Sequence, residues 1–212
     1  MTPDPTSTPA TDRQAVLADF PELRPIQAQL AIYEALLRRW QARINLVGPS
    51  TLPDLWRRHF ADSVQLLAHA PQARLWLDLG SGAGFPGLVL ALALKSTSDA
   101  VVHLVESDHR KAAFLREVSR ETQAKAVIHV ARIETLAATL PQPDVVTSRA
   151  LAPLPALVSL SRRWIDGGAT GLFLAGRSQE AELTALHADP RLRVARHPSR
   201  TSDGFVVSVS AR

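Results

Sequence analysis

Asp78-Leu79-Gly80-Ser81-Gly82-Ala83-Gly84-Phe85-Pro86-Gly87 is the stretch that decides the fold. The apolar run Leu75-Trp76-Leu77 precedes it and the apolar run Leu88-Val89-Leu90-Ala91-Leu92-Ala93-Leu94 follows it. The order reads as a strand that ends at an acid, a glycine-rich turn, and a helix that opens at Pro86 or Gly87. Glycines permit positive φ and leave room for a ligand against the main chain. The first N–H groups of a helix lack intrahelical partners and favour an anionic group. Nucleotide-binding α/β folds build their cofactor pocket in this way.

Outward from that turn, short strands alternate with helices. The pattern predicts strands at Leu75–Leu79, Val101–Glu106, Ala126–Val130, Val145–Thr147 and Thr170–Ala175, with helices at Gly87–Leu94, Arg110–Thr122, Glu134–Thr139, Leu154–Trp164 and Glu180–Leu186. Such alternation predicts an α/β fold with a doubly wound, Rossmann-like parallel sheet. Leu192–His197 and Phe205–Ser210 flank a turn at Asp203-Gly204 with no helix between them, which predicts an antiparallel terminal hairpin. Upstream, Leu30, Tyr33, Leu36, Leu37, Trp40 and Ile44 recur at helical spacing. After a break at Asn45–Ser50, a second helix is expected from Leu52 to Ala68. Three parts result: a flexible tail over 1–12, a helical cap over 13–72, and the Rossmann-like domain over 73–212.

Composition narrows the chemistry. A hydrophobic share of 46% suffices for a core. No apolar run approaches the roughly 18 residues of a membrane span, and the first residues carry no basic leader, so a cytoplasmic protein is expected. The chain lacks cysteine, which excludes disulfides, Cys-ligated metals and a thiolate nucleophile. Lys95, Lys111 and Lys125 are the only lysines among 24 cationic residues, and the net charge of +4 favours an anionic partner. Arginine suits phosphates and bases through its planar fork.

A lone Gly-x-Gly-x-x-Gly is a weak signal, but three features sharpen it. Asp78 ends the strand two residues before Gly80, where nicotinamide folds usually carry an apolar residue; an acid suits a ligand with an ammonium group, such as S-adenosylmethionine. Glu106 ends the next strand, where an acid accepts hydrogen bonds from ribose hydroxyls. The terminal hairpin suits a methyltransferase better than a dehydrogenase. His59, Asp62 and Ser63 share one helix face, but two ligands without a third do not make a metal site, and no metal is expected. The trio is expected to hydrogen-bond across to the sheet and close one side of the pocket. Trp40, Trp56, Trp76 and Trp164 read as core or interface aromatics. Arg38, Arg39, Arg43, Arg57 and Arg58 are candidates for RNA phosphates.

Five motifs in one order carry a resemblance: Trp40-x-x-x-Ile44-Asn45-Leu46, His59-Phe60-x-Asp62-Ser63, Asp78 through Gly87 with its Gly-Phe-Pro-Gly ending, Arg132-Ile133-Glu134 and Ser148-Arg149-Ala150. From about Leu36 to Phe205 the chain resembles the RsmG (GidB) family of bacterial methyltransferases. The resemblance implies a class I S-adenosylmethionine-dependent fold and methyl transfer to N7 of a guanine in 16S rRNA. The partner implied is that RNA or the small ribosomal subunit; the sequence itself demands no more than a monomer. The cofactor site implied comprises Asp78, Gly80, Gly82, Gly84, Phe85, Glu106, Ile133, Glu134 and Arg149. Arg149 is also the candidate catalytic residue, in a positioning role, since guanine N7 has a lone pair and no proton to lose. The family's Lys-Gly pair reads Ala175-Gly176 here, with Arg177 next. Methylation of another RNA or a small molecule, nicotinamide-dependent oxidoreduction, and RNA binding without turnover are the competing readings.

Overall fold

The structure, a computed structural model, describes residues 10–136 and 138–212. Most of the tail expected over 1–12 therefore lies outside the described residues, and the first helix begins at Ala10. In chain order come α1 (Ala10–Asp19), α2 (Gln27–Gln41), α3 (Asp62–Val64), β1 (Leu75–Leu79), α4 (Gly87–Ala93), β2 (Val101–Glu106), α5 (His109–Thr122) and β3 (Ala126–Val130). Then follow α6 (Ile133–Leu136), β4 (Val145–Arg149), α7 (Leu154–Asp166), β5 (Thr170–Ala175), α8 (Leu183–His187), β6 (Leu192–Pro198) and β7 (Phe205–Ala211).

The strands form one sheet in the order β3-β2-β1-β4-β5-β7-β6. Strands β1 to β5 run parallel, and β7 pairs antiparallel with both β5 and β6. The chain reverses its direction of travel between β1 and β4, which opens a crevice at the carboxyl ends of those strands. Alternation sorts the strand residues between two faces. Trp76, Val102, Leu104, Val145 and Leu172 join one cluster with the N-terminal helices, α4 and α5. Leu77, Leu79, Val105 and Val146 pack with Trp164 of α7, and Phe173, Val207 and Val209 pack with Leu157 and Leu186 on that same side. Trp56, Trp76 and Trp164 are buried, whereas Trp40 is partly buried and donates from Nε1 to Glu117.

Two elements depart from their expected form: the helix expected at Glu180–Leu186 is a 3-10 segment at Arg177–Glu182 that leads into α8, and the second helix of the cap differs more. The helix expected from Leu52 to Ala68 is a relay of short turns: a 3-10 segment at Pro49–Asp54, a π-helical turn at Trp56–Ala61, α3, and a second 3-10 segment at Gln65–His69. The Asp62 N–H reaches the Arg57 carbonyl, five residues back, and the Ser63 hydroxyl bonds the His59 carbonyl at 2.6 Å. Trp56, His59, Phe60, Ala61, Ser63 and Val64 are all buried. That inward set is too dense for a 3.6-residue stripe, and the wider turn accommodates it.

Candidate active site

The glycine-rich turn is set by backbone conformation. Gly80, Gly82 and Gly84 have φ of 66°, 55° and 90°, the left-handed region that other residues enter at a cost. A Cβ on Gly80 would strike Leu151, and one on Gly84 would strike the Tyr33 hydroxyl and Leu88. A Cβ on Gly82 would meet only the Gly80 carbonyl oxygen, at 3.8 Å. Beside the turn lies a cavity of about 720 Å³, lined by Gly80, Ser81, Gly82, Phe85, Glu106, Ile133, Glu134 and Arg149 among others. That volume suits a cofactor.

Glu106 stands at the rim, 7% exposed. Its Oε2 accepts from the Gly82 N–H at 2.8 Å and its Oε1 from the Asp108 N–H at 2.8 Å. A carboxylate has about four acceptor positions, so each oxygen keeps one for a ligand hydroxyl. Ile133 and Glu134 open α6 on the far wall, Ile133 half-buried and Glu134 exposed. Lys111 and Arg132 also line the cavity.

Asp78 is not brought to the cavity. Its side chain is 0% exposed and lies beneath the turn, where Oδ2 accepts from the Gly87 N–H at 3.3 Å and Oδ1 has no partner. Burial pushes its carboxyl up to about 7. The expectation that this acid faces a ligand's ammonium group is therefore corrected to one of support from below. Gly84 likewise belongs to the underside, where the Tyr33 hydroxyl donates to the Ala83 carbonyl. Burial raises the Tyr33 hydroxyl's pKa, which keeps it a donor.

Arg149 ends β4, and its side chain is 18% exposed. It lines both the large cavity and a smaller one of about 200 Å³ formed with Arg58, Asp62, Ala175, Gln179 and Ser202. Its Nη1 donates to the Arg58 carbonyl at 3.0 Å and stands 3.6 Å from Asp62 Oδ2. Its Nη2 lies 2.7 Å from His59 Nδ1, and its guanidinium lies 5.0 Å from the Phe85 ring centroid. Phe85 in turn stacks on His59 and Tyr33, at centroid distances of 4.8 and 5.3 Å. Of the sequence trio, His59 and Asp62 thus meet Arg149, whereas Ser63 turns back onto its own helix. The next residue, Ala150, has φ of 56°, a strained conformation for a residue with a Cβ, placed where both cavities meet.

Two participants escaped the sequence reading. Tyr33 is the only tyrosine, and a hydroxyl on an otherwise apolar helical stripe was its one signal. Thr51 had none; it reaches the site through His59 Nε2 at 2.9 Å. Of the arginines proposed for RNA, Arg38 bonds Glu34, Arg39 pairs with Glu117 and Arg57 with Asp19. Arg58 is exposed and lines the smaller cavity. Among the described residues, no cluster of His, Cys, Asp or Glu could hold a metal, and no helix is long and apolar enough to cross a membrane.

Residues 26–202 match the GidB family, described as rRNA small subunit methyltransferase G. The ribosomal RNA small subunit methyltransferase G of Methylobacterium sp. (strain 4-46) is 52% identical over 203 residues, covering 95% of this chain and 96% of the relative. That of Rhodospirillum centenum is 51% identical over 193 residues, covering 91% and 85%. Among solved structures, a putative O-methyltransferase from Klebsiella pneumoniae is 16% identical with a TM-score of 0.62, covering 87% of this chain and 90% of that one. An O-methyltransferase from Bacillus cereus, solved in complex with SAH, is 18% identical with a TM-score of 0.62, covering 85% and 90%. At that identity the two structures speak to the fold, which is that of the class I methyltransferases.

Proposed function

This chain belongs to the GidB family, and from that membership we propose that its larger cavity holds S-adenosylmethionine while its smaller one receives the guanine that is methylated at N7. The protein is an S-adenosylmethionine-dependent methyltransferase of 16S rRNA. Nicotinamide-dependent oxidoreduction is set aside by that membership.

The residues present fit the cofactor. The turn offers bare backbone at Gly80 and Gly82, Glu106 keeps acceptor capacity for a sugar diol, and Val105, Ala131 and Ile133 give an apolar wall for a purine. S-adenosylmethionine supplies a methyl group on a sulfonium, ready for in-line displacement. Guanine N7 presents a lone pair and releases no proton, so alignment is what the protein must provide. Arg149 provides it, because it lines both cavities, holds a fixed positive charge, and offers N–H donors in a rigid fork. Phe85 holds the guanidinium in plane from one side, and the Arg58 carbonyl fixes one arm. Arg58, Lys111 and Arg132 line the cavities without a salt bridge among the described residues, and they supply phosphate contacts for the approaching RNA.

The placement of Arg149 between the two cavities is the observation that carries this reading. We propose the monomer as the acting unit, since residues of one chain line both cavities. The cytoplasm, where small subunits assemble, is its place of work. Purified protein given labelled S-adenosylmethionine should methylate small ribosomal subunits or their RNA. The product should release its base under mild reduction and show aniline scission, as 7-methylguanosine does. Label at another atom, or only in unrelated RNA, would overturn the reading.

A further inference from the structure

His59 is buried, yet its two ring nitrogens are committed to different elements. Nδ1 lies 2.7 Å from Arg149 Nη2 at the end of β4, and Nε2 lies 2.9 Å from Thr51 Oγ1. A guanidinium has donors only, so Nδ1 must accept. A neutral ring has one proton, which then sits on Nε2 and is donated to Thr51. The Thr51 hydroxyl donates onward to the Gly48 carbonyl at 2.7 Å. The four groups form a chain of donors pointing one way: Arg149 to His59, His59 to Thr51, Thr51 to the carbonyl of Gly48, which lines the larger cavity.

We propose that His59 is a positioning residue for methyl transfer: as a neutral ring with its proton on Nε2, it holds the Arg149 guanidinium in the wall between the two cavities. This role rests on the functional reading above.

Three features separate this arrangement from that of a histidine that merely fills space. The ring is stacked on Phe85 at 4.8 Å and 21°, and the guanidinium covers the same phenyl ring, so Phe85 sets the height of both partners. The π-helical turn places His59 and Asp62 on the same side as Arg149, and Asp62 steadies the other arm of the guanidinium from 3.6 Å. Asp62 is itself held by Gln65 Nε2 at 2.8 Å and by the Thr201 hydroxyl at 2.7 Å, from the loop between β6 and β7. Arg149 is thus gripped from two sides. Finally, the charges beside the ring are Arg149 on β4 and Arg58 on its own turn, with the uncharged Thr51 as a further neighbour. Burial and those two cations hold the imidazole far below its ordinary pKa, down to about 2. A proton on Nδ1 would set two donors face to face, and a second proton on the ring would add a cation beside the guanidinium.

Ring-nitrogen NMR of the wild-type protein reads the tautomer directly, with and without S-adenosylhomocysteine. His59 should show a proton on Nε2, a bare Nδ1, and no titration between about pH 8 and pH 5. A proton on Nδ1, or titration near the ordinary histidine value, overturns the proposal. Two variants then test the role by steady-state kinetics on small subunits. His59→Leu keeps bulk but loses the acceptor. It should lower kcat by about 10- to 100-fold, the scale of one lost hydrogen bond to a charged group, with little change in KM for S-adenosylmethionine. His59→Asn puts an amide oxygen near the position of Nδ1 and should recover most of that loss. Equal losses in both variants, or a Leu variant as active as a methylating wild type, overturn the positioning role alone. An inert wild type overturns the functional reading and this role with it.

Discussion

The glycine-rich turn has two sides that are built by opposite rules. Its outer side is bare main chain: Gly80 and Gly82 face the larger cavity, and Glu106 accepts from the Gly82 N–H there. Its underside is sealed by Asp78, Tyr33 and Leu88, all fully buried. Both acids end neighbouring strands, yet Glu106 has each oxygen satisfied by a backbone N–H, while Asp78 keeps one oxygen without a partner. The difference shows what an open binding turn requires. On the ligand's side Glu106 holds the turn at the Gly82 N–H alone and keeps acceptor capacity for the ligand, so the close-packed bracing falls on the other side.

Substitutions on the two sides should therefore fail differently. Gly82→Asp is expected to have the largest effect. It adds a side chain on the outer side at positive φ and sets a second carboxylate near Glu106, so S-adenosylhomocysteine binding should be abolished by calorimetry while the circular dichroism spectrum stays that of the wild type. Retained binding would break the distinction.

On the underside, Asp78→Asn should change stability and its pH dependence. In the folded protein this carboxyl titrates at about 7 rather than at 3.8. Between those values the folded state holds a proton that the unfolded chain has released, so this group's contribution to stability falls as pH rises through the window, by up to about 4 kcal/mol. Asparagine cannot ionise. Denaturant melts of the cofactor-free proteins should show the variant gaining on the wild type from pH 4 to pH 8. A constant difference would remove the sealed carboxyl from the account.

Glu106→Ala, on the outer side, should weaken S-adenosylhomocysteine about 100-fold, since it removes hydrogen bonds to a charged acceptor. The loss should appear in KM for the donor more than in the melting temperature. Tyr33→Phe is the mildest. It deletes the bond to the Ala83 carbonyl and should cost about 1 kcal/mol in stability, with a small loss of donor affinity. A large loss of affinity with no loss of stability would mean that the two sides are not mechanically distinct.

The fold was legible because its signals are local. Apolar runs, strand-ending acids and three glycines at positive φ sit next to one another in the chain, and the strands lie where their hydrophobicity places them. Asp78 was legible as an acid at a strand end, but not in the direction it faces. That depends on alternation, which points it to the face covered by α4 rather than into the cavity. The segment Leu52–Ala68 reads as one helix because its apolar spacing is nearly helical; the widened turn follows from which side chains the core and Arg149 require inward. Arg149 itself was legible from its motif. Its partners were not, because Arg58, His59 and Asp62 are some ninety positions away and meet it only through the folded sheet.

The central claim is that the cavity beside Gly80, Gly82 and Glu106 is the seat of the methyl donor, with Arg149 between it and the RNA base. A crystal structure grown with saturating S-adenosylhomocysteine tests it most directly. The account predicts the nucleoside in that cavity, its sugar hydroxyls on Glu106 and its sulfur toward Arg149, with Asp78 untouched beneath the turn. A cavity left empty, or a nucleoside seated elsewhere, would contradict it.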